Sequence, residues 1–385
     1  MRVWIAAGGS GGHLYPALAV VEELEAAMEG TRSLFAVSRR GLEERVLDAQ
    51  HRPYRTLWTE GFHRGEVVRN LLFPLRLAAG FFQSVWAVLR LRPNVAFGTG
   101  GFVSGPALLA ARMLGVPVAL VALDARPGLT IRMLSPLARK TYVTGHAAME
   151  VLGERSGLEI VGTPMRRPDP VPRERARDTL GLPPDARVLL VTGGSQGSAA
   201  LNRAVAGALK DLFQVPDLTL LWQTGEEGEA MAEGKREELG GEYRERVLVL
   251  PYIDAMEQAW SAADLAVCRA GASTIAELTA YGVPSILVPL PTSAGGHQQA
   301  NARAMEDTGA AVVLPESDLT PGYLARRVRA LLDARNGLES MRAQAASLGH
   351  TGAARTIARG LVEIARGVDE ESREAALMRL EGGGA

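Results

Sequence analysis

VWIAAGGSGG at residues 3–12 and VLLVTGGSQG at residues 188–197 are two copies of one pattern, about half of the 385-residue chain apart. In each copy an apolar run typical of a buried strand ends in a glycine loop, and a helix is predicted to follow, at 14–27 and at 199–212. The start of such a helix presents unpaired backbone N–H groups and the positive end of its dipole, and glycine lets an anion approach the backbone closely. The repeat therefore predicts two α/β halves that each bind a phosphate.

The length of 385 residues predicts two or three domains, and a hydrophobic content of 47% is enough to form their cores. The net charge is −1, so no basic field points to a nucleic-acid partner. Cys268 is the only cysteine, which excludes an intrachain disulfide and a cysteine-based zinc cluster and fits a reducing cytoplasm. No signal peptide is expected, because Met1 leads directly into the first predicted strand.

Short β-rich runs alternate with helical patterns along both halves, which is typical of parallel sheets covered by helices. Besides the two runs that end in the glycine loops, the predicted strands lie at 33–37, 94–98, 116–123, 140–145, 158–162, 218–224, 246–252, 265–270, 284–290 and 310–314. A proline-rich, charged stretch at 163–187 has the composition of a linker. We therefore expect an α/β protein with two doubly wound Rossmann-like parallel-sheet domains facing a cleft. The expected boundaries are 1–162 and 188–348 for the domains, 349–367 for a C-terminal helix, and 368–385 for a charged, frayed tail.

The glycine loops fit a sugar nucleotide better than other common phosphate ligands. A dinucleotide fold needs G-x-G-x-x-G and a carboxylate after the second strand, whereas the first loop reads GGSGGH and that strand ends in Ser38, Arg39 and Arg40. An NADP site that uses Arg39 and Arg40 stays open as the weaker alternative. A Walker loop is excluded, because no Lys-Ser or Lys-Thr follows either glycine loop.

Longer motifs extend these loops along both halves of the chain. They are GGSGGHLYPALAVVEEL (8–24), GTGGFVSGPALLAARMLGVP (98–117), GGSQGSAALN (193–202), CRAGASTIAELTAYGVPSILVPLP (268–291) and HQQANA (297–302). The ordered set resembles the MurG family of bacterial UDP-N-acetylglucosamine transferases. The resemblance implies the GT-B fold and inverting transfer of GlcNAc from UDP-GlcNAc to the 4-hydroxyl of the MurNAc of lipid I, which gives lipid II.

The resemblance also implies the partners and the location. The donor would be UDP-GlcNAc, and the acceptor would be lipid I, the undecaprenyl-linked muramyl-pentapeptide diphosphate. The enzyme would sit peripherally on an anionic membrane surface, at the cytoplasmic face of the cell membrane. No obligatory metal or other cofactor is expected.

Most of the implied donor contacts lie in the second half. Glu277 would accept both ribose hydroxyls, Arg166 would neutralise phosphate, and the backbone at Ile253 would contact the uracil edge. Apart from the resemblance, Glu277 fits a solvated helix residue, Arg166 a linker charge, and the paired glutamines an ordinary helix surface. The full implied donor set is Ser10, Gly11, Gly12, Asp124, Arg166, Ser195, Ile253, Ala272, Ser273, Thr274, Glu277, Gln298 and Gln299.

The acceptor is placed at the first glycine loop by the same resemblance. His13, with an unperturbed pKa of about 6.5, would accept the proton of the attacking hydroxyl or else position phosphate. The implied acceptor contacts are Gly9, Ser10, Gly12, His13, Gly101, Phe102 and Ser104.

On this acceptor side the chain departs from the family pattern. Where the family carries His-Glu-Gln-Asn before Gly-Leu-Thr, this sequence has Val-Ala-Leu-Asp at 121–124. A family tyrosine is replaced by Phe102, and a family asparagine is replaced by Thr163. Asp124 would either act as the general base or form a hydrogen bond to a sugar as asparagine would. The predicted catalytic residues are therefore His13 and Asp124.

The segment 64–92 is predicted to meet the membrane. It carries five arginines and one glutamate, and its 13 uncharged residues at 77–89 are too few to span a bilayer. Phe82, Trp86 and Leu89 fall on one helical face flanked by arginines, although a core helix would show the same periodicity. The expected membrane residues are Leu77, Phe81, Phe82, Val85, Trp86, Arg76 and Arg90.

Three other functions stay open on the sequence. One is a GT-B glycosyltransferase that acts on another lipid, such as diacylglycerol. The second is a non-hydrolysing UDP-GlcNAc 2-epimerase, which needs acid and base carboxylates, of which only Asp124 and Glu277 are visible. The third is a UDP-sugar-binding paralogue with impaired catalysis. The sequence predicts no oligomeric state.

Overall fold

The computed structural model describes residues 1–8, 11–39, 42–61, 71–153, 156–166, 171–349 and 352–381. The chain forms two compact units, one made of Met1–Arg166 with Gly352–Ala385 and the other of Arg167–Thr351. Each unit has its own parallel sheet and its own hydrophobic core. Both halves therefore fold as the α/β repeat predicts.

The first unit is built on a parallel sheet whose central strands are buried. Its strands are β1 (Arg2–Ala6), β2 (Arg32–Ser38), β3 (Tyr54–Leu57), β4 (Val95–Gly98), β5 (Val118–Ala122), β6 (Lys140–Val143) and β7 (Leu158–Ile160). Their order across the sheet is β3-β2-β1-β4-β5-β6-β7. The chain runs outward from β1 to one edge, returns, and runs outward from β4 to the other edge. This is the doubly wound topology, with its switch point between β1 and β4.

Helices connect these strands, and two of them contribute to a hydrophobic core against the sheet. The helices are α1 (Gly11–Ala27), α2 (Leu42–Ala49), α3 (Phe73–Leu91), α4 (Gly101–Met113), α5 (Leu129–Leu134) and α6 (His146–Leu152), with a 3-10 turn at Ser135–Leu137. Helices α3 and α4 pack side by side on the sheet, and α5 packs next to α4. The Trp4 indole N–H on β1 donates to the Ala107 carbonyl in α4 over 3.2 Å, which fixes α4 on the sheet.

The second unit repeats the plan with its own sheet. Its strands are β8 (Arg187–Thr192), β9 (Leu218–Gln223), β10 (Val247–Leu250), β11 (Leu265–Cys268), β12 (Ser285–Leu287) and β13 (Ala311–Val313), in the order β10-β9-β8-β11-β12-β13. Its switch point lies between β8 and β11. Its helices are α7 (Arg173–Thr179), α8 (Ala199–Leu212), α9 (Glu226–Leu239), α10 (Gly241–Glu245), α11 (Met256–Ala262), α12 (Ala272–Tyr281), α13 (His297–Asp307), α14 (Pro321–Asp333) and α15 (Arg335–Ser347), with 3-10 turns at Ala294–Gly296 and Glu316–Asp318.

The last helix, α16 (Ala353–Glu381), belongs to the first unit, where it packs on α1. Gly360 of α16 lies against the hydroxyl of Tyr142, a fully buried residue of β6. Burial raises the pKa of Tyr142 above its ordinary range, and the negative charges of Glu159 and Glu363 raise it further. A glycine is needed here because a Cβ at residue 360 would overlap the phenol oxygen.

Replacing Gly360 with alanine is expected to lower the free energy of unfolding by about 1–3 kcal/mol, because the added Cβ would overlap the hydroxyl of the fully buried Tyr142. Gly367 of the same helix is the matched control, since a Cβ there meets nothing within 4 Å. Gly367→Ala should raise stability by up to about 1 kcal/mol through helix propensity. Urea unfolding of the two variants measures the difference. Equal effects would mean that the Tyr142 contact does not limit the packing of α16.

The predicted strands are confirmed, as are the helices that follow the two glycine loops. Strand β3 was not predicted. The prediction of a linker at 163–187 is wrong in part, because α7 forms within this stretch. Arg177 of α7 is also buried, with its guanidinium 2.8 Å from a carboxylate oxygen of Asp264. The C-terminal helix continues to Glu381 instead of ending at 367, since the predicted tail is rich in helix-favouring residues. Residues 167–170 and 382–385 lie outside the described residues.

Candidate active site

Both glycine loops lie at the switch points of their sheets. Gly8 follows β1, and the 98–101 turn follows β4 on the other side of the first switch point. Gly193 follows β8, and Gly271 follows the neighbouring strand β11 in the second sheet. Ligands of open parallel sheets bind beyond the carboxyl ends of the strands at this point. Each unit therefore carries one candidate phosphate site, as the repeat predicts.

At the first switch point two loops approach so closely that glycine is required. Gly100 and Gly101 have φ angles of 101° and 77°, which side-chain-bearing residues rarely adopt. A Cβ on Gly101 would overlap the Gly8 carbonyl oxygen, and one on Gly100 would lie 3.2 Å from the His13 ring. The turn after β4 is thus packed against the loop after β1. Gly9 and Ser10 lie outside the described residues, Gly11 is the first residue of α1, and Gly12 is exposed.

His13 is fixed to this turn by two hydrogen bonds. Its Nδ1 lies 2.9 Å from the Thr99 carbonyl oxygen, and the Thr99 hydroxyl donates to the His13 carbonyl over 2.8 Å. Because a carbonyl only accepts, Nδ1 carries the hydrogen, and the lone pair of the neutral ring is on Nε2. This is the tautomer in which Nε2 can act as a general base.

The other residues predicted on the acceptor side have different environments. Ser104 is fully buried, and its hydroxyl bonds the carbonyls of Ala6 at 3.0 Å and Gly100 at 2.5 Å. Its predicted acceptor contact is therefore corrected to a role inside the protein, where it holds the turn. Phe102 is half-buried and packs on the core, and Asp124 is half-buried just past the end of β5. Because β5 pairs with β4, Asp124 lies at the same edge of the sheet as His13.

At the second switch point the loop 193–197 is held by side chains from β8 and β9. The Gly194 N–H donates to the Thr192 hydroxyl over 3.1 Å, and the Gln223 amide donates to the Gly194 carbonyl over 3.1 Å. Gly197 has a φ of 73°, and a Cβ there would overlap the Thr224 carbonyl. Ser195 is exposed at the tip of this shaped loop, where its hydroxyl can reach a ligand.

Glu277 on α12 is the strongest titratable candidate. One of its carboxylate oxygens accepts from the Trp260 indole N–H over 3.0 Å. Burial raises the pKa of Glu277 to about 7, although the Trp260 hydrogen bond opposes the shift. Two hydroxyls that donate to this carboxyl would stabilise its charged form.

The first turn of α12 carries the predicted residues Ala272, Ser273 and Thr274, all half-buried. The Ser273 hydroxyl oxygen is buried and has no hydrogen-bond partner within the described part of the chain. A buried polar group of this kind costs free energy unless a ligand or water pairs with it. It supports the assignment of this helix start to the donor.

The remaining predicted donor residues are mostly engaged in holding loops. Gln298 accepts from the Leu290 N–H over 2.9 Å, and the Gln299 amide donates to the Leu290 carbonyl over 3.3 Å. Both glutamines therefore anchor the loop after β12, and their predicted sugar contact stays a prediction. The Ile253 side chain is buried in the core, and the contact of its backbone with uracil stays a prediction.

Arg166 forms an ion pair within the first unit. Its guanidinium forms a two-point ion pair with Glu22 of α1, with the shortest contact at 2.6 Å. The pair is largely exposed, so breaking it costs about 1 kcal/mol or less. The predicted phosphate contact of Arg166 stays a prediction, and it requires the release of Glu22.

The predicted membrane helix is α3, and its apolar face is exposed. Phe82, Trp86 and Leu89 are 68%, 53% and 57% exposed, which argues against the core-helix alternative for these residues. Phe81 and Val85 are half-buried, and Leu77 is exposed. The opposite face, with Gly80, Ser84, Ala87 and Val88, is buried.

The arginines of this surface differ from the prediction. Arg76 forms an ion pair with Glu60, so its charge does not flank the apolar face as expected. Arg90 lies over the Trp86 ring at 5.5 Å, and Arg55 of β3, which the sequence did not single out, lies over it at 5.3 Å. Residues 62–70, with two of the arginines of the predicted segment, lie outside the described residues.

Within the ranges that the structure describes, no helix is both long and apolar enough to cross a membrane. Within the same ranges, no group of three or more histidine, cysteine or acidic side chains is arranged to hold a metal ion.

Sequence families match both units. The N-terminal domain of glycosyltransferase family 28 matches residues 3–143, and the C-terminal domain of that family matches residues 188–357. A protein of Moorella thermoacetica named UDP-N-acetylglucosamine–N-acetylmuramyl-(pentapeptide) pyrophosphoryl-undecaprenol N-acetylglucosamine transferase is 40% identical over 362 residues, which is 93% of this chain and 97% of that protein.

Solved structures agree with the sequence families. The crystal structure of Acinetobacter baumannii MurG matches with a TM-score of 0.75 at 29% identity, over 94% of this chain and 99% of that chain. A UDP-N-acetylglucosamine 2-epimerase matches with a TM-score of 0.63 but at 14% identity, over 93% of this chain and 94% of that chain, which shows a shared fold alone. The chain therefore belongs to the MurG family within glycosyltransferase family 28.

Proposed function

We propose that this chain transfers N-acetylglucosamine from UDP-N-acetylglucosamine to the muramyl 4-hydroxyl of lipid I, with inversion at the anomeric carbon. The observation that carries the proposal is the 40% identity, along 93% of the chain, with a transferase named for this reaction. The glycine loops at both switch points supply one site for each diphosphate of the two substrates.

The second unit binds the donor in this proposal. Glu277 accepts the two ribose hydroxyls, and the start of α12 with Ser273 lies beside it. Ser195 and the N–H groups at the start of α8 contact the diphosphate. As the bond from C1 to the diphosphate oxygen breaks, these fixed donors stabilise the charge that develops on UDP.

The first unit supplies the base. The muramyl 4-hydroxyl attacks C1 of GlcNAc, and its proton passes to Nε2 of His13, whose Nδ1–H is held by the Thr99 carbonyl. Asp124, past the neighbouring strand, bonds a sugar hydroxyl or orients His13. None of these steps uses a metal ion, so transfer should continue in the presence of a chelator.

The enzyme docks on anionic lipid through α3 in this proposal. Residues 71–139 contain seven arginines and one acidic residue, Asp124. Exposed apolar side chains occur on α3, and also on α4 and α5, where the sequence did not predict them, at Leu109, Met113, Leu129 and Met133. Apolar side chains beside arginines are what binding to an anionic bilayer surface requires.

The variant Phe82→Ser/Trp86→Ser is expected to weaken binding to vesicles of anionic phospholipid about tenfold or more, because each aromatic ring contributes through its buried apolar area. Vesicle sedimentation measures the change. Val151→Ser removes an exposed aliphatic side chain of the same unit and should leave binding unchanged. If the folded double variant bound vesicles as the wild type does, this face of α3 would be excluded as the membrane-binding surface.

Turnover tests the proposed reaction. The protein is incubated with radiolabelled UDP-GlcNAc and a lipid I analogue, with and without EDTA, and the products are separated. Labelled disaccharide-lipid supports the proposal. Transfer only to diacylglycerol, UDP-ManNAc as the product, or UDP binding without turnover would instead indicate another glycosyltransferase, an epimerase or an inactive paralogue.

A further inference from the structure

One arginine at the second switch point was not singled out by the sequence. Arg269 directly follows β11, and its side chain is only 11% exposed. Its guanidinium donates to the Ser198 hydroxyl oxygen over 2.8 Å and to the Val288 carbonyl over 3.1 Å. Glu316 pairs with it at 2.5 Å. Three fixed partners hold this buried cation in one place.

Ser198 links that cation to the glycine loop. It directly follows Gly197 and is the N-cap of α8, where its hydroxyl oxygen accepts from the Leu201 N–H over 3.4 Å. Guanidinium groups only donate, so the same oxygen also accepts from Arg269. With both lone pairs engaged, the only further hydrogen bond open to Ser198 is the donation of its O–H hydrogen. Ser198 is only 9% exposed, and it lies at the start of α8, next to the candidate phosphate site.

We propose that Ser198 is an additional donor-binding residue, which donates its hydroxyl hydrogen to the diphosphate, and that Arg269 is the positioning residue that holds and polarises Ser198. The proposal rests on the proposed function, because it needs a diphosphate at the second glycine loop. A hydroxyl that accepts from a guanidinium is a stronger donor, since hydrogen bonds in a chain polarise one another. Glu316 offsets the charge of Arg269, so Arg269 acts through Ser198 and not as a free cation.

The test compares UDP with uridine, because the proposed bond involves the diphosphate alone. Ser198→Ala and Arg269→Met are each expected to lower the UDP affinity about tenfold or more and to leave the uridine affinity unchanged. Ser198→Thr keeps the hydroxyl and the cap, so it should retain wild-type affinity. The double variant Ser198→Ala/Arg269→Met should lose no more UDP affinity than the single variant that binds UDP more weakly. The reason is that both residues act through the one hydrogen bond from Ser198 to the diphosphate.

Two controls test whether a loss of UDP affinity comes instead from a lost helix cap or from an unpaired carboxylate. Thr320 caps α14 by accepting from the Tyr323 N–H over 3.4 Å, so Thr320→Ala removes a comparable cap and should leave the UDP-to-uridine ratio unchanged. Arg269→Met/Glu316→Gln leaves no unpaired carboxylate and should still bind UDP about tenfold more weakly than the wild type. An equal loss of UDP and uridine affinity, or no loss of UDP affinity, would overturn the proposal. Failure of the wild type to bind UDP would instead overturn the proposed function.

Discussion

Glu277→Gln is expected to lower the UDP affinity about 100-fold and, at pH 8, to raise the free energy of unfolding by about 2 kcal/mol. The affinity falls because an amide is a weaker acceptor than a carboxylate for two ribose hydroxyls. The stability rises because burial raises the pKa of Glu277 from 4.5 to about 7. Between those pH values the folded protein keeps a proton that the unfolded chain has released, so increasing pH favours unfolding of the wild type. Glutamine has no such proton.

The two effects have different pH dependences, which makes the prediction specific. The stabilisation should be present above pH 7 and absent below about pH 4.5, where folded and unfolded wild type are both protonated. Urea unfolding at pH 4.5 and pH 8 measures it, and titration calorimetry with UDP measures the affinity. Glu238→Gln, at an exposed helix position, is the control and should change neither quantity. A less stable Glu277→Gln at pH 8, or one that binds UDP normally, would contradict the assignment.

His13→Ala is expected to lower kcat about 100-fold or more while leaving UDP binding unchanged. The reason is the hydrogen bond from Nδ1 to the Thr99 carbonyl, which leaves the basic lone pair of the neutral ring on Nε2. Turnover with lipid I at saturating donor measures kcat, and calorimetry with UDP measures binding.

Asp124→Asn distinguishes the two base candidates. If His13 is the base, Asp124→Asn keeps the dependence of kcat on the ionisation of a histidine, with a smaller loss of rate. If Asp124 is the base, Asp124→Asn loses at least as much rate as His13→Ala. Wild-type turnover by Asp124→Asn would exclude it as the base, and wild-type turnover by His13→Ala would exclude His13.

Elements with strong local patterns were predictable from the sequence. The strands that end in the glycine loops are continuous apolar runs, and α8 has the predicted bounds of 199–212. Local periodicity and glycine turns determine such elements. Strand β3 was missed because Tyr54–Leu57 is an edge strand of only four residues, in which Arg55 and Thr56 interrupt the apolar pattern.

Contacts between distant residues were not predictable. The sequence shows Arg177 only as linker charge, whereas the fold pairs it with Asp264. The ion pair of Arg166 with Glu22, 144 residues away, was equally hidden in the sequence. Arg269 was missed for the same reason, since its hydrogen bond to Ser198 joins residues that are 71 positions apart. Local pattern therefore predicted the two glycine loops between strand and helix, while the partners of the charged side chains near them required the fold.

Hydrogen exchange with and without UDP tests most directly the claim that the second glycine loop binds the donor. We expect saturating UDP to slow exchange of the backbone N–H groups at 193–201 and 271–277, because the ligand stabilises this region against local opening. Exchange at 98–104, beside the first loop, should not change. Protection at 98–104, or no protection at 193–201, would contradict the account.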